Sequence, residues 1–574
     1  MESEIQLLQY KEGQGKLIIR LKGLITGVDS YDKIRVLLRF ISGDSDRRIP
    51  LPVEYQYDSN QQEITFDGEM TIDLPNVFYH PKRIQHVELE PVIQLGMEEI
   101  TDLTIKNQTN TELMMNQRKI VMQPSEFENH SFRNMGLPYR IYQVFAIPVS
   151  ILLLPLWFLD GLRCVLGFGT VLPAESTSRG IKAIVKHGNA RVKMISGFTF
   201  SPRENKTKLF CYYYKMACRH VVDEKQILFL SERAETAHGN AECVKAELEK
   251  NSDFSIVTYR NTKTVDQLEL SELKKIAELV ATSKLVILDD FYPQIHWLKL
   301  RKETELIQLW HACGAFKTFG FSRLGKKGGP RQSSYNHRSY DYAFVSGTGI
   351  RSIYSEGFAI PENHVLPLGV PRTDHLLDES FKKDTVEGLY SRYPALKNKK
   401  VVLIAPTFRG DGNRTAYYPV EQLDLNELCK AVSKDYIFVI KNHPFVKDKF
   451  VYDDQYNDQV MELSNEDIND LLLITDTLIT DYSSVVFEAA LLEIRTVFYV
   501  FDLEEYMKDR DIYYDFEHFA PGEITKNMDE LKLALVNDEK NLEKIKQFRE
   551  YFMDAVDGNA TNRICDFIQK LMNA

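Results

Sequence analysis

The stretch Ile479-Thr480-Asp481-Tyr482-Ser483-Ser484-Val485-Val486-Phe487-Glu488 decides how the chain is read. Before it, Leu471–Ile474 suits a helix end and Leu478–Ile479 a short buried strand; after it, Val485–Leu492 suits the start of a helix. Asp481, Ser483 and Ser484 therefore fall where a parallel strand hands over to a helix, at the carboxyl edge of a sheet. Such edges are where open α/β sheets take ligands. Free N–H groups and hydroxyls at a helix start attract phosphate. Plain N-capping by Asp or Ser explains the same residues and stays open at this point.

The chain around this stretch has 574 residues, enough for about three or four domains. It is 44% hydrophobic and 27% charged, the composition of a folded protein. Its formal net charge of −11 argues against general nucleic-acid binding, and no nucleic-acid motif is present. An anionic ligand would need local basic patches working against that charge. The seven cysteines form no CxxC pair, which suits reduced thiols better than a disulfide frame or zinc site. Met1-Glu-Ser-Glu-Ile lacks the basic and apolar regions of a signal peptide, so a cytoplasmic protein is expected.

Residues 1–127 read as a β-sandwich. Strands are predicted at Lys16–Leu24, Lys33–Phe40, Glu54–Tyr57, Glu63–Phe66, Glu69–Leu74 and His86–Leu95, with turn residues between them. No catalytic constellation is visible there, and a docking or assembly role is expected. Residues 128–175 contain Val144–Leu159, sixteen residues without a charge. As a helix that run is about 24 Å long, short of the roughly 30 Å hydrocarbon core, and Pro148 and Pro155 interrupt it. Tyr139, Tyr142, Trp157, Phe158, Arg133, Arg140 and Arg163 punctuate it as interfacial residues do. A broken helical pair lying in one leaflet is preferred over a buried inter-domain hairpin or a span. From residue 176 onward strands and helices alternate, predicting two Rossmann-like lobes, 176–375 and 376–574, with a last helix over Leu542–Met572. The expected architecture is therefore α/β, a GT-B-like pair of lobes with its site in the cleft between them.

Four loops carry candidate chemistry. In Gln308-Leu-Trp-His311-Ala-Cys-Gly314-Ala-Phe-Lys317, a His and a Lys six residues apart suit a general base and a phosphate contact, with Arg323, Lys326 and Lys327 downstream. A packed His beside a surface Lys is the plainer alternative. Ala405-Pro-Thr407-Phe-Arg409-Gly410 brings an arginine, the bidentate phosphate ligand, to a strand end. Lys441-Asn442-His443-Pro444 brings a histidine to the next, and the opening stretch is the fourth. Three such sites in one lobe favour a phosphate-rich ligand. No Walker loop, GxSxG elbow or HExxH occurs. Asp289-Asp290 follows the strand Leu285–Leu288, as a capping or loop pair more readily than as a metal site.

Taken together, Trp310-His311…Lys317, Gly369-Val-Pro-Arg372-Thr-Asp374, Asn442-His443-Pro444 and Thr480–Glu488 resemble the CDP-glycerol/CDP-ribitol polyolphosphotransferases of teichoic acid synthesis, over about residues 205–570. The resemblance implies a GT-B enzyme that passes a polyol phosphate from a CDP-activated donor to a hydroxyl of a lipid-linked anionic polymer, releasing CMP. It implies His311 as general base and His443 as a second essential histidine beside the donor pyrophosphate. It further implies Asp481, Ser483, Ser484 and Glu488 as donor contacts, Arg409 beside the pyrophosphate, and Lys317, Arg323, Lys326 and Lys327 as guides for the polymer. Where the glycerol branch reads Trp-His-Gly-Thr-Pro-Leu-Lys, this chain reads Trp-His-Ala-Cys-Gly-Ala-Phe-Lys, closer to the ribitol-phosphate enzymes. Glu488 stands where many members have Asp. Ribitol transfer is thus the leading expectation, glycerol transfer the near alternative and a non-catalytic polymer-binding scaffold the alternative of another class. The expected setting is the cytoplasmic face of the plasma membrane, peripheral or monotopic. No residue cluster demands a metal; pyrophosphate leaves room for Mg²⁺, and a homo-oligomer is left open.

Overall fold

The computed structural model describes residues 2–28, 33–79, most of 84–127, isolated positions between 148 and 159, and residues 202–573 apart from 234–237, 252, 411–414 and 538. The apolar segment 144–159 and its aromatic flanks fall largely outside the described residues. Among the described residues, no helix is long and apolar enough to cross a membrane.

The N-terminal region is a two-sheet β-module. One sheet runs, in spatial order, Glu54–Asp58, Glu63–Asp73, Lys16–Thr26, Glu2–Gly13 and Thr104–Asn107. The other runs Ile120–Met122, Val87–Leu95, Ile34–Ser42 and Ser45–Leu51, with Glu98–Ile100 paired to Val87–Leu95. Strict alternation sends Leu17, Ile19, Leu21 and Ile25 inward against Val36, Leu38 and Phe40 of the facing sheet. The two strands expected at Glu63–Phe66 and Glu69–Leu74 are one continuous strand, Glu63–Asp73. Gly68 breaks the hydrophobic pattern but not the pairing: it stands opposite Leu21, and a Cβ there would meet the Pro52 carbonyl at 2.5 Å. Glu2–Gly13 and Ser45–Leu51 are further strands, hidden in the sequence by their charged residues.

The two lobes are six-stranded and wholly parallel. The N-terminal lobe orders its strands Ser255–Arg260, Asp223–Ser231, Ser283–Leu288, Glu305–Gln308, Tyr342–Phe344 and Val365–Leu366. The C-terminal lobe orders them Val460–Glu462, Tyr436–Ile440, Lys400–Ile404, Thr477–Thr480, Arg495–Tyr499 and Glu523–Thr525. Helices cover these sheets, which is why Thr477–Thr480 and Arg495–Tyr499 are buried at every position. The single helix expected over Leu542–Met572 is two, Leu542–Phe552 and Ala560–Met572, separated by a turn containing Gly558 at φ +86°. The second carries the chain back: Ile564, Cys565, Ile568 and Met572 pack with Ile227, Phe229, Val244 and Leu285 of the N-terminal lobe.

One apolar cluster joins the lobes. Cys313, Ala315 and Phe316, from the loop after Glu305–Gln308, share it with Tyr482, Val486 and Phe487 of the opening stretch. At its centre Gly314, at φ +67°, leaves room for the Phe487 ring; a Cβ there would lie 2.0 Å from a ring carbon. Gly314→Ala combines a left-handed backbone penalty with overpacking and is expected to destabilise the lobes by about 2–4 kcal/mol. Urea unfolding followed by tryptophan fluorescence measures this, and an unchanged midpoint would mean that the ring is not held against Gly314.

Candidate functional site

The site is built from loops at the carboxyl ends of both sheets. In the N-terminal lobe, strand Glu305–Gln308 leads into Trp310, which adopts φ +57°. That strained turn is held on both sides. The Trp310 N–H donates to Gln308 Oε1 (2.8 Å), and its carbonyl accepts from Asn240 Nδ2 (2.8 Å). The turn presents His311 half-exposed, its ring 4.6 Å from that of Trp310. His311 Nδ1 lies 3.3 Å from Asp290 Oδ1, at the end of the neighbouring strand Ser283–Leu288. Burial works against the Asp290 charge, yet His311, the Phe291 N–H and Arg233 hold its carboxyl below the usual range. With Nδ1 near a carboxylate, Nε2 is the ring nitrogen left for another partner.

Across the cleft, the opening stretch begins with Asp481, only 1% exposed. Its Oδ1 accepts from the N–H groups of Thr407 and Tyr482, both at 2.7 Å, and its Oδ2 from Arg409 Nη1 at 2.8 Å. Arg409 also pairs with Asp502 through Nε (2.7 Å) and Nη2 (2.9 Å), and its guanidinium lies 5.0–5.6 Å from the ring centres of Tyr418, Tyr482, Phe501 and Tyr506. Arg409 and Asp481, read from the sequence as phosphate contacts, are thus joined to each other and to Asp502. They tie the loops after three strands into one unit.

Glu488 is likewise engaged: it is buried and forms an ion pair with Arg372 of the other lobe. Burial opposes the Arg372 charge, and Glu488 raises its pKa nonetheless. The Arg372 N–H donates to Asn240 Oδ1 (2.9 Å), so one asparagine fixes both this inter-lobe arginine and the turn that carries His311. Asp374, two residues on, accepts from the N–H groups of Ala560 and Thr561 and so caps the last helix. Ser483 Oγ accepts weakly from the Val485 N–H (3.4 Å), and Ser484, at the N-cap position, is exposed and makes no side-chain cap bond.

His443 packs against the rings of Phe408 (4.7 Å) and Phe445 (4.8 Å), which also touch each other. Its Nδ1 accepts from the Phe445 N–H at 3.2 Å, so the neutral ring carries its proton on Nε2. Burial, with Lys317 and Lys441 adding, lowers its pKa and keeps it neutral. Lys317, grouped in the sequence with Arg323, Lys326 and Lys327, is half-buried, 5.6 Å above the Tyr506 ring. Burial pulls its ammonium down to about 8, with Asp481 opposing and Arg510 and Arg409 adding to the fall. Arg323, Lys326 and Lys327 line an adjoining cavity of about 1410 Å³ together with Arg510, Lys526 and Phe408. Phe408 therefore separates that cavity from His443.

A family model described as CDP-glycerol:poly(glycerophosphate) glycerophosphotransferase matches residues 212–570. The chain belongs to this family. It is 44% identical over 371 residues to the teichoic acid poly(ribitol-phosphate) polymerase of Bacillus spizizenii, covering 64% of this chain and 60% of that one. It is 39% identical over 350 residues to the teichoic acid ribitol-phosphate polymerase TarK of Staphylococcus aureus, covering 60% and 68%. The match thus spans 60% of the length of the first of these relatives. The solved structure of the wall teichoic acid polymerase TagF is 21% identical, with a TM-score of 0.52 over 64% of this chain and 94% of that one, which shows a shared fold.

In this family member, sequence reasoning missed Asp290, Asn240 and the Arg372–Glu488 pair as parts of the site. Asp290 was visible only as half of a loop-like Asp-Asp pair after a strand. Arg372 stood in the quoted Gly369–Asp374 motif, which was the signal for it. Nothing local marks Asn240.

Proposed function

We propose that this chain transfers ribitol phosphate from CDP-ribitol to a hydroxyl of a lipid-linked teichoic acid or related polymer, releasing CMP. What supports the reading is the loop Trp310–Lys317, which sets His311 Nδ1 3.3 Å from the Asp290 carboxylate and carries Lys317, whose charge helps lower the pKa of His443. The ribitol-phosphate names of the two relatives above favour ribitol over glycerol.

In this reading His311 Nε2 takes the proton of the acceptor hydroxyl as its oxygen bonds to the phosphorus that carries ribitol. The bond from that phosphorus to the bridging oxygen breaks, and CMP leaves with the electron pair. Phosphoryl transfer needs positioning and charge stabilisation above all. His443 Nε2–H and the Lys317 ammonium are donors suited to the pyrophosphate, with the hydroxyls of Ser483 and Ser484 beside them. Arg409, Asp481 and Glu488 act one step back, holding those loops in place. The cavity with Arg323, Lys326 and Lys327 suits an anionic polymer. Among the described residues no group of three or more His, Cys, Asp or Glu could hold a metal ion; Mg²⁺ would reach the site on the donor's pyrophosphate.

The purified chain with a lipid-linked acceptor should release CMP from CDP-ribitol. No release from either CDP-ribitol or CDP-glycerol would overturn the enzyme reading, and a preference for CDP-glycerol would overturn the ribitol assignment. His311→Ala should slow turnover by about 10²–10⁴-fold while donor binding survives, and Asp290→Asn should slow it less.

A pH profile tests Lys317. Its ammonium is charged below about 8 and lost as the pH rises through that value. Activity should therefore fall above about pH 8, and Lys317→Arg should move that limb upward by about two units or more. A limb that stays in place would remove Lys317 from the donor site.

Membrane association is the remaining part of the proposal, at the cytoplasmic face and without a span. Leu152, Leu156 and Leu159 are spaced as one helical face and are 78%, 59% and 60% exposed. Replacing all three with Ser should abolish flotation with anionic phospholipid vesicles; undiminished flotation would sink this role for the segment.

A further inference from the structure

We infer that the N-terminal β-module forms part of the frame of the cleft, and that Lys33 is a positioning residue that acts through Asp511 on Lys317. For its kinetic consequence the inference rests on the proposed transfer reaction; its structural consequence is independent of it.

A lysine side chain reaches far on rotatable bonds, so the place of its ammonium depends on how firmly its backbone is held. The backbone of Lys317 is held by pairing, beside Phe316 and Ile512 in the core. It forms an isolated antiparallel bridge with Ile512, flanked by the Thr318 N–H donating to the Asp511 carbonyl (3.0 Å) and the Tyr513 N–H donating to the Phe316 carbonyl (3.0 Å). A two-stranded ribbon this short is not stable by itself. Its second strand, Asp511–Tyr513, is gripped from outside by the β-module. Lys33 Nζ pairs with the Asp511 carboxylate and also donates to the Ile512 carbonyl. Two residues on, the Arg35 guanidinium lies 4.8 Å from the Tyr513 ring centre and forms an ion pair with the buried Glu356 of the N-terminal lobe. The Tyr513 hydroxyl in turn donates to Ser322 Oγ (2.8 Å).

Asp511 has a second partner, Lys326, which lines the basic cavity. Burial opposes its charge, yet the two ammonium groups hold its carboxyl below the usual range, while burial pulls the Lys33 ammonium down with Asp511 opposing. One carboxylate thus links a residue of the β-module, the ribbon that carries Lys317 and the wall of the cavity. Without the clasp the Asp511 end of the ribbon loses its ionic anchor, and the spacing between Lys317 and His443 would loosen. This gives the β-module a task that its lack of catalytic residues left open.

The test uses the full chain carrying Lys33→Met, Lys33→Arg or Asp511→Asn, with Lys106→Met as control. Lys106 pairs with Glu4 on the exposed side of the same module (2.6 Å). Hydrogen–deuterium exchange should speed up at residues 316–318 and 511–513 in Lys33→Met, with the rest of the lobes unchanged. The donor KM should rise more than kcat falls, for a loss in kcat/KM of about 10–100-fold. Lys33→Arg, which keeps the clasp, should restore both, and Lys106→Met should alter neither. Asp511→Asn should reproduce the Lys33→Met pattern and decides the matter where Lys33→Met does not fold. Unchanged exchange at the ribbon, or a loss of protection spread evenly over the molecule, would overturn the inference. If the unmodified chain releases no CMP, the transfer reading fails by itself and the exchange comparison still decides the role of Lys33.

Discussion

The packing of the Phe487 ring onto Gly314 is the constraint on which the cleft depends. Phe487 lies in the first turn of the helix after Ser483-Ser484, and Gly314 lies three residues after His311. A contact that admits no Cβ therefore sets how near the loop with His311 comes to the loop with Ser483 and Ser484. Around it the same two segments are joined again by the Arg372–Glu488 pair, and Asn240 ties Arg372 back to the Trp310 turn. Apolar contact gives the proximity and the ion pair gives the register. Breaking such a buried pair on one side leaves an uncompensated charge, which makes the arrangement hard to drift from.

The same logic runs through the donor lobe. A chain with a formal net charge of −11 places Arg409 where it is shared by Asp481 and Asp502, among four aromatic rings. The excess carboxylate there opposes the fall in the Lys317 pKa that burial causes. Lys317 thus sits in an environment that keeps its proton affinity near neutrality without neutralising it outright. In the proposed reaction a basic group so placed would answer an incoming pyrophosphate more strongly than a surface lysine, because less water competes for it.

What could be read from the sequence follows from the range of each interaction. The parallel sheets were legible because buried strands such as Thr477–Thr480 and Lys400–Ile404 are short apolar runs, and loops at their ends could be listed without knowing the fold. His311, His443 and the serines come from those loops. Asp290 did not stand out, because an aspartate after a strand looks the same whether it caps a turn or orients a histidine on the next strand. The Arg409 pairings span 72 and 93 residues, and no local pattern carries them. Charged residues concealed the strands Glu2–Gly13 and Ser45–Leu51; in the second, Arg47 and Arg48 are themselves buried, Arg48 by pairing with Glu99 and Glu362. The break before Ala560–Met572 was missed because apolar spacing continues on both sides of it, although the first helix packs in the cluster that joins the lobes and the second on the N-terminal lobe.

That distinction of range changes how a family motif is used. A residue recurring at a strand end can serve a ligand or the loop that meets it, and the sequence records both in the same way. Asp481, Arg409 and Glu488 are each engaged within the protein, Asp481 and Arg409 with each other at 2.8 Å and Glu488 in an inter-lobe ion pair. For any of them to bind phosphate directly, a buried pair would first have to open, against the cost of exposing its partner. His443 Nε2–H, the Ser484 hydroxyl and the Lys317 ammonium face no such cost. In the proposed reaction direct recognition of the donor would fall to these groups, and the buried ions would serve the geometry that brings them together.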